Sequence, residues 1–432
     1  MYYASYRNAR DVPTRTRISC VTDIVLFLPV SNTSRVGIVN IAIIADDLTG
    51  AADTGVQLVR TGYRTAVVFQ GAPIPSEGDL DAVVFDTDSR SLPADSAAKR
   101  VLEAGHAVRN ARIVYKKIDS TLRGPVAAEL AAALEATGRD RAIVAPAFPS
   151  AGRTTREGVQ LVDGVPVHKT EMRNDLYTPV REGHIPTLLA EADSSVHTLG
   201  VEEVRDAELV HETLESARYV VADAESYADL EALVRAVPDS PEVLWVGSAG
   251  LALALGTVYP GPHAGESPTT FAPVRGILVV VGSLSKVARE QLRWLIEERG
   301  GAMSVVGRSD AVKEAVRTAR AALSERACAI VHSAEEEDPS GSVVEALSEV
   351  AADLEREGFF DALVLTGGDT AVGVARRLGA VGIRLEGEVE PGIPVGTLIG
   401  SSPYRVVTKA GSFGESGTLV KIVETLTQGG KD

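Results

Sequence analysis

Short apolar segments rich in β-branched residues recur along the chain from Val39 onward, separated by stretches of helix length such as Ala94 to Arg109. Seven segments precede residue 250: NIAIIA, RTAVVF, DAVVFDT, RIVYKK, RAIVAP, RYVVAD and VLWVG. They show little polar–apolar alternation, which is typical of strands buried on both faces. Such strands alternating with helices predict an α/β domain whose largely parallel sheet is covered by helices on two sides.

The most regular predicted helix spans Pro125 to Thr137. Its apolar residues Val126, Leu130 and Leu134 recur every fourth position, as expected for one buried face. Pro125 suits the first turn of a helix, and Gly138 provides a stop signal. This helix follows the polar segment KKIDSTLRG, so that segment is predicted to lie at the carboxyl end of a strand.

After about residue 276, three units run from an apolar strand through a turn of Gly, Ser and Thr into an amphipathic helix. The turns are Gly282 to Ser285, Thr366 to Thr370 and Lys409 to Gly414. Glycines let a backbone approach phosphate oxygens closely, and helix N-termini supply free N–H groups. One such turn indicates only a tight connection, but three in one domain predict a phosphate site. Neither a P-loop nor a dinucleotide fingerprint is present, so the pattern does not identify the nucleotide.

Two interruptions divide this pattern. Asp163-Gly164 lies between GVQLV and VPVHKT and predicts a hairpin that leaves the sheet and covers a site. The segment 259–275 is rich in proline and glycine and lacks apolar periodicity, which predicts a linker. We therefore expect one domain over 37–258 and a second over 276–432. The segment 1–36 is interpreted as a poorly ordered N-terminal extension, because its apolar run is too short for a signal peptide and is interrupted by Asp23.

Acidic and basic residues follow several strands of the first domain. The carboxyl ends of parallel strands share one sheet edge, where open α/β sheets bind ligands. Arg and Lys suit a carboxylate, whereas Asp accepts hydroxyl protons, so the mixture indicates a small hydroxylated acid. Each residue alone could be a helix cap; the Asp46-Asp47 pair could cap a helix near Gly50. The residues are Asp47, Asp88, Arg90, Lys116, Lys117, Asp119, Ser120 and Arg123.

Composition narrows the classes of function. The chain has 432 residues, 45% hydrophobic, which suffices for two or three domains with ordinary cores. Its formal net charge of −16 argues against nucleic acid or an anionic membrane as partner. Cys20 and Cys328 lie far apart without metal-ligand spacing, so a reducing cytoplasm is expected. The sequence is compatible with a homo-oligomer but does not indicate one.

Seven motifs occur in the same order as in the four-carbon acid sugar kinases, a family that the chain resembles from about Asn40 to its C-terminus. They are IADDLTGAADTG, FDTDSR, KKIDSTLRG, the GRTT after AFPSA, the GS-S turn, TGGDTA and KAGSFG. The resemblance implies ATP-dependent phosphorylation of the terminal hydroxyl of a tetronate such as threonate, erythronate or an oxo-tetronate. It also implies that 37–258 bind the sugar acid, that 276–432 bind ATP, and that the active site lies in the cleft between the domains.

The resemblance implies most of the site residues, carried over by motif, and the basic residues Arg123 and Arg153 of the same motifs are added to them. The predicted substrate-binding residues are Asp47, Arg90, Lys116, Lys117, Ile118, Asp119, Ser120, Arg123 and Arg153. The predicted ATP-binding residues are Ser283, Gly367, Gly368, Asp369, Thr370 and Gly411. Phosphoryl transfer depends on positioning and charge neutralisation more than on covalent chemistry.

Asp47 is the first candidate for the base or orienting group of the acceptor hydroxyl, and Asp119 is the second. Lys117 or Arg123 would stabilise the transferred charge. Mg²⁺ would bridge phosphate oxygens with Asp369 as an outer ligand, while the sequence identifies no direct metal ligand. Two alternatives remain at this stage: a nicotinamide-dependent hydroxy-acid dehydrogenase, disfavoured by the missing fingerprint, and a non-catalytic sugar-acid-binding protein, which would not need a phosphate-binding domain.

Overall fold

The computed structural model describes residues 39–75, 80–175, 177–190, 195–237, 241–266, 272–300, 302–305, 309–326, 328–334, 342–400 and 402–429. The predicted extension 1–36 lies outside these residues, as do 267–271 of the predicted linker. Within the described residues, no helix combines the length and the apolar character needed to cross a bilayer.

The first half of the chain alternates strands with helices. Its strands are β1 Ile41–Ala45, β2 Thr65–Val68, β3 Ala82–Asp86, β4 Ile113–Lys117, β5 Arg141–Ala145, β6 Arg153–Arg156, β7 Val159–Val162, β8 Val165–Pro166, β9 Val196–Leu199, β10 Tyr219–Ala222 and β11 Val243–Gly247. Its helices are α1 Leu48–Arg60, α2 Ala94–Val108, α3 Val126–Thr137, α4 Ile185–Ala190, α5 Ala207–Ser216, α6 Tyr227–Ala236 and α7 Ala249–Val258. All seven strand segments predicted before residue 250 are confirmed.

The second half repeats the arrangement and adds an antiparallel hairpin. Its strands are β12 Ile277–Val281, β13 Ala302–Val305, β14 Cys328–Ser333, β15 Ala362–Thr366, β16 Ala380–Glu390, β17 Ile393–Gly400 and β18 Arg405–Lys409. Its helices are α8 Lys286–Arg299, α9 Ser309–Arg326, α10 Ser342–Arg356, α11 Gly368–Arg377 and α12 Thr418–Gln428. The three predicted strand–turn–helix units are β12–α8, β15–α11 and β18–α12, and all three are confirmed.

The described strands, apart from β6 to β8, form one continuous sheet. Its order is β13-β14-β12-β15-β18-β17-β16-β2-β3-β1-β4-β11-β5-β10-β9. The sheet is mostly parallel, which confirms the predicted fold class. The exceptions are in the second half, where β17 pairs antiparallel with β18 and β16, and β16 pairs antiparallel with β2 and so joins the halves. Six strand steps separate β1 from β15, and a twist of about 20–25° per step rotates them by roughly 120–150°. Three antiparallel pairings lie between β15 and β1, so these two strands run in opposite directions within the sheet. A twist of this size would turn their carboxyl ends toward each other.

Local signals explain where the elements begin and end. The Asp47 side chain accepts the N–H of Gly50 and caps α1, the contact that the alternative interpretation of the Asp46-Asp47 pair requires. Helix α3 has no side-chain cap and ends at Gly138, whose φ of 66° is in the left-handed region. Asp163 and Gly164 have φ values of 50° and 79° between β7 and β8. This turn confirms the predicted hairpin, which lies in a separate three-stranded sheet, β6-β7-β8.

Candidate active site

Three adjacent strands, β3, β1 and β4, deliver the predicted acidic and basic residues to one edge of the sheet. Arg90, which follows β3, donates two hydrogen bonds to Asp46 at 2.7 and 2.9 Å and a third to Asp47. Asp46 is buried, which alone would raise its pKa, but the nearby charges of Arg90 and Lys117 keep that pKa below its ordinary value. The Asp46–Arg90 pair therefore fixes the position of the Asp47 carboxylate beside it.

The two lysines that end β4 point to opposite faces of the sheet, as the strand period of two requires. Lys116 is fully buried and pairs with Glu129 of α3 at 2.9 Å. Lys117 lies under the start of α1, where a Cβ built on Gly50 would come within 2.9 Å of its Nζ. Its ammonium donates to the carbonyl of Ile118 at 2.9 Å. Lys117 is thus the lysine that faces Asp47, whereas Lys116 packs on the other face.

Asp119 organises the loop after β4. Its carboxylate accepts hydrogen bonds from the N–H and hydroxyl of Thr121 and from the N–H and guanidinium of Arg123. Although burial would raise the pKa of Asp119, the charges of Arg123 and Arg90 hold it well below its ordinary range. Arg123 also lies 3.6 Å from Asp175. An anchored carboxylate with a low pKa is a weak proton acceptor.

The other predicted residues of this half lie farther from the Asp47 group. Ile118 is buried in the core, and Ser120 accepts a hydrogen bond from Gln160 through its carbonyl. Arg153 begins β6 and donates to the carbonyl of Ala151. None of these three side chains donates to or accepts from Asp47 in the described structure.

The three glycine turns converge at the carboxyl ends of the adjacent parallel strands β12, β15 and β18. Ser285 caps α8 and donates to the carbonyl of Gly411 at 2.6 Å, which ties the first turn to the third. A Cβ on Gly367 would lie 3.3 Å from the N of Ser283, and the φ of Gly367 is 103°, a conformation that favours glycine. The first N–H groups of α11 have no partner within the helix and are available to an anion.

The two groups of predicted residues meet where α1 and α11 begin. A Cβ built on Gly368 would lie 3.9 Å from Cγ2 of Thr49, and no other described atom outside its own helix would lie within 4 Å. The hydroxyl of Thr49 in turn donates to Asp47. Partial removal from water raises the pKa of Asp369, and the carboxylates of Asp88 and Asp47 raise it further. The start of α11 therefore lies beside Thr49, the residue that hydrogen-bonds to the Asp47 carboxylate.

Sequence comparisons agree with this division into two halves. Residues 41–255 match the family described as "Sugar-binding N-terminal domain", and residues 278–419 match "Nucleotide-binding C-terminal domain". A D-threonate kinase of Salmonella typhimurium is 35% identical over 416 residues, which is 87% of this chain and 96% of that protein. A D-threonate kinase of Bordetella bronchiseptica is 38% identical over 90% of this chain and 98% of its own length.

The chain belongs to the four-carbon acid sugar kinase family. Its fold also resembles a solved Salmonella typhimurium chain described as a tRNA synthase, with 25% identity and a TM-score of 0.76 over 88% of this chain and 98% of that one. The resemblance noted from the seven motifs is thus confirmed.

Three further polar residues have no role predicted from the sequence. Thr49 and Lys409 lie within quoted motifs but carry no distinctive pattern of their own, so only the structure reveals their contacts. Asp53, the third acid of the first motif, is buried on α1, and its Oδ1 has no partner in the described residues. Burial raises the pKa of Asp53 to about 7, partly opposed by Lys117 and reinforced by Glu388 and Asp47.

This raised pKa predicts how Asp53 affects stability. The folded form holds a proton on Asp53 up to about pH 7, whereas the unfolded form releases it near pH 4. The free energy of unfolding therefore falls as pH rises from about 4 to 7. Asp53→Asn cannot titrate, so its Tm relative to the unmodified protein should rise by a few degrees between pH 5 and pH 8. Thermal melts at both pH values test this, and an equal Tm difference at the two would contradict it.

Proposed function

We propose that this protein transfers the γ-phosphoryl group of ATP to the terminal hydroxyl of a four-carbon sugar acid, with D-threonate as the first candidate. The observation that carries the proposal is the juxtaposition of Gly368 and Thr49. A phosphate at the N-terminus of α11 would lie beside the Asp47 carboxylate, which suits a hydroxyl attacking a phosphoryl group. The names of the two threonate kinases support the choice of substrate.

Asp47 is the proposed base or orienting group. Its side chain is 21% exposed, so it can reach a ligand, while Thr49, Arg90 and the N–H of Gly50 hold it in place. Asp119 is disfavoured because its side chain is only 10% exposed and because the charges of Arg123 and Arg90 hold its pKa well below the ordinary range. A fixed carboxylate that accepts the hydroxyl proton contributes through both orientation and proton transfer.

Lys117 and Arg90 are the residues proposed to balance the negative charges of the substrates and of Asp47. Lys117 makes one hydrogen bond in the described structure, to Ile118, which leaves two ammonium N–H groups for a substrate carboxylate or for the transferred phosphoryl oxygens. Arg90 is mostly engaged with Asp46 and Asp47, so its role is to set the local charge and to hold Asp47. Lys116 pairs with Glu129 on the opposite face of the sheet and so stabilises the end of β4.

The residues of this site are compatible with Mg²⁺ that binds together with ATP. No cluster of three His, Cys, Asp or Glu side chains suited to a metal occurs in the described residues. Mg²⁺ commonly keeps its waters and binds through one or two carboxylates together with substrate phosphates. Asp369, in the first turn of α11, is the carboxylate that would hold it through water. When bound, the ion would neutralise phosphate charge.

We also propose the boundaries of the two domains, the location of the active site and the cellular compartment. The matched ranges 41–255 and 278–419 lie within 37–258 and 276–432, which supports 259–275 as the linker. The active site would lie in the cleft between the domains, at the meeting of α1 and α11. The two widely spaced cysteines favour a reducing cytoplasm.

ADP release over a panel of four-, five- and six-carbon sugar acids tests the function. We expect Mg²⁺- and acid-dependent ADP release with a four-carbon acid, and threonate, erythronate and 3-oxo-tetronate are to be compared directly. The product should carry phosphate on its terminal hydroxyl, which phosphorus NMR can identify. Absence of turnover with all four-carbon acids, or acid-dependent nicotinamide reduction instead, would overturn the proposal.

A further inference from the structure

The turn after β18 is held from beneath by two buried side chains. Lys409 has no exposed surface, and its Nζ donates to the carbonyls of Ala410 at 2.8 Å and Phe413 at 3.0 Å, with that of Gly411 at 3.5 Å. Gln291 of α8, also fully buried, donates from Nε2 to the carbonyls of Phe413 at 3.0 Å and Glu415 at 2.8 Å. Both side chains thus bind the same stretch of backbone, 410–415.

These contacts determine where the N–H groups of the turn point. The described peptide bonds are all trans, and in a trans peptide the N–H points opposite to the C=O of the same unit. Because the carbonyls of 410, 411 and 413 face Lys409, the N–H groups of Gly411, Ser412 and Gly414 face away from it. In the described structure these three N–H groups donate to no protein acceptor. The N–H groups of Gly411 and Ser412 are consecutive, whereas that of Phe413 donates to the carbonyl of Ala410. Consecutive free N–H groups can form an anion-binding concavity.

The charge of Lys409 reinforces this arrangement. A buried ammonium is costly unless acceptors satisfy its protons, and here backbone carbonyls accept them. Donation to a carbonyl also polarises the peptide unit, so its N–H becomes a stronger donor. Burial lowers the pKa of Lys409 to about 8, partly opposed by Glu390, the acid that faces it. Lys409 therefore keeps its proton at neutral pH and loses it in mildly alkaline solution.

We infer that Lys409 is a positioning residue that, together with Gln291, holds the 410–414 turn in the form that binds the phosphates of ATP. The inference rests on the proposed kinase function and extends it. Lys409 is fully buried beneath the turn, so it acts through the backbone N–H groups that it directs. Nucleotide affinity should therefore depend on Lys409, while affinity for the sugar acid should not.

Lys409→Met tests the inference, since Met preserves length but removes the charge and the donors. At pH 7.5 we expect the KM for ATP to rise at least about tenfold, with the KM for the sugar acid unchanged within about twofold. ATP binding measured by calorimetry, without turnover, should weaken by the same factor. Lys421→Met is the matched control, because Lys421 is an exposed lysine that pairs with the same Glu390 at 2.9 Å; its ATP affinity should remain that of the unmodified protein.

The pH dependence separates a positioning role from a merely structural one. In the unmodified protein the Kd for ATP should rise between pH 7 and 9 as Lys409 loses its proton, whereas Lys409→Met should show a flat profile and Lys409→Arg should restore part of the affinity. The unfolded chain keeps this proton to about pH 10, so between about pH 8 and 10 the titration raises the free energy of unfolding. Loss of binding at pH 9 would therefore not arise from unfolding through this group.

The outcomes distinguish this inference from the kinase proposal. If the unmodified protein phosphorylates a sugar acid but folded Lys409→Met binds ATP normally, Lys409 does not position the turn. An equal rise in both KM values would also overturn the inference, because it would indicate general damage. If Lys409→Met does not fold, a pH-independent ATP affinity of the unmodified protein from pH 7 to 9 overturns it instead. Absence of any turnover in the unmodified protein refutes the kinase proposal itself.

Discussion

Asp47→Asn is expected to lower kcat with the best sugar acid by roughly two to four orders of magnitude, the usual range for losing a general base. Asparagine preserves the shape of the side chain and can still accept the N–H of Gly50, so α1 should keep its cap. It loses the negative charge that pairs with Arg90 and that would accept the hydroxyl proton. The Kd for ATP, measured by calorimetry, should change little.

A matched control separates catalysis from capping. Asp206 caps α5 by accepting the N–H groups of Glu208 and Leu209, so Asp206→Asn makes the same chemical change at another helix start. We expect this variant to keep its kcat. If Asp47→Asn also retains near-normal kcat, the Asp47 carboxylate acts only as a cap.

Asp119 provides the second comparison. Asp119→Asn removes a charge that holds Arg123 and the following loop, so we expect a lower Tm together with reduced activity. Loss of kcat in a stable Asp119→Asn variant while Asp47→Asn stays active would identify Asp119 as the base.

The sequence predicts an element correctly where its local residue pattern and its position in the fold favour the same secondary structure. The seven apolar segments before residue 250 are buried strands, and helix α3 ends at Gly138 as expected. The predicted carboxyl-end placement of Asp47, Arg90 and Lys117 follows from strand direction alone, which is why periodicity was sufficient. The fold class and the placement of both residue groups at the carboxyl ends of strands were therefore accessible without coordinates.

The strand pairing that joins the two halves could not be predicted from the sequence in the same way. Strands β16 and β17 contain polar residues and glycines, and the pairing of β16 with β2 brings together segments more than 300 residues apart. Only the Pro391-Gly392 turn between two β-rich runs signals this hairpin. The opposite orientations of Lys116 and Lys117 follow from strand alternation, but which of them faces Asp47 depends on the packing of α1.

Gly368→Val is expected to abolish the rise in Tm that ATP with Mg²⁺ produces in the unmodified protein. A ligand that binds only the folded form stabilises it by about 2.7 kcal/mol at 100 times its Kd. A valine side chain would extend from the start of α11 into the open space before Thr49, where the phosphate is proposed to bind. Loss of about two charge-assisted hydrogen bonds would weaken ATP binding roughly 100-fold.

The fold should tolerate this substitution. Gly368 does not have the positive φ of Gly367, and a Cβ there would meet only Cγ2 of Thr49 at 3.9 Å. Gly417, which precedes α12 with a φ of −85° and no described atom within 4 Å of an added Cβ, provides the control. Gly417→Val should keep the ATP-induced shift. A folded Gly368→Val variant with an unchanged shift would show that ATP phosphates bind elsewhere, and the proposed meeting of phosphoryl group and Asp47 at the start of α11 would be wrong.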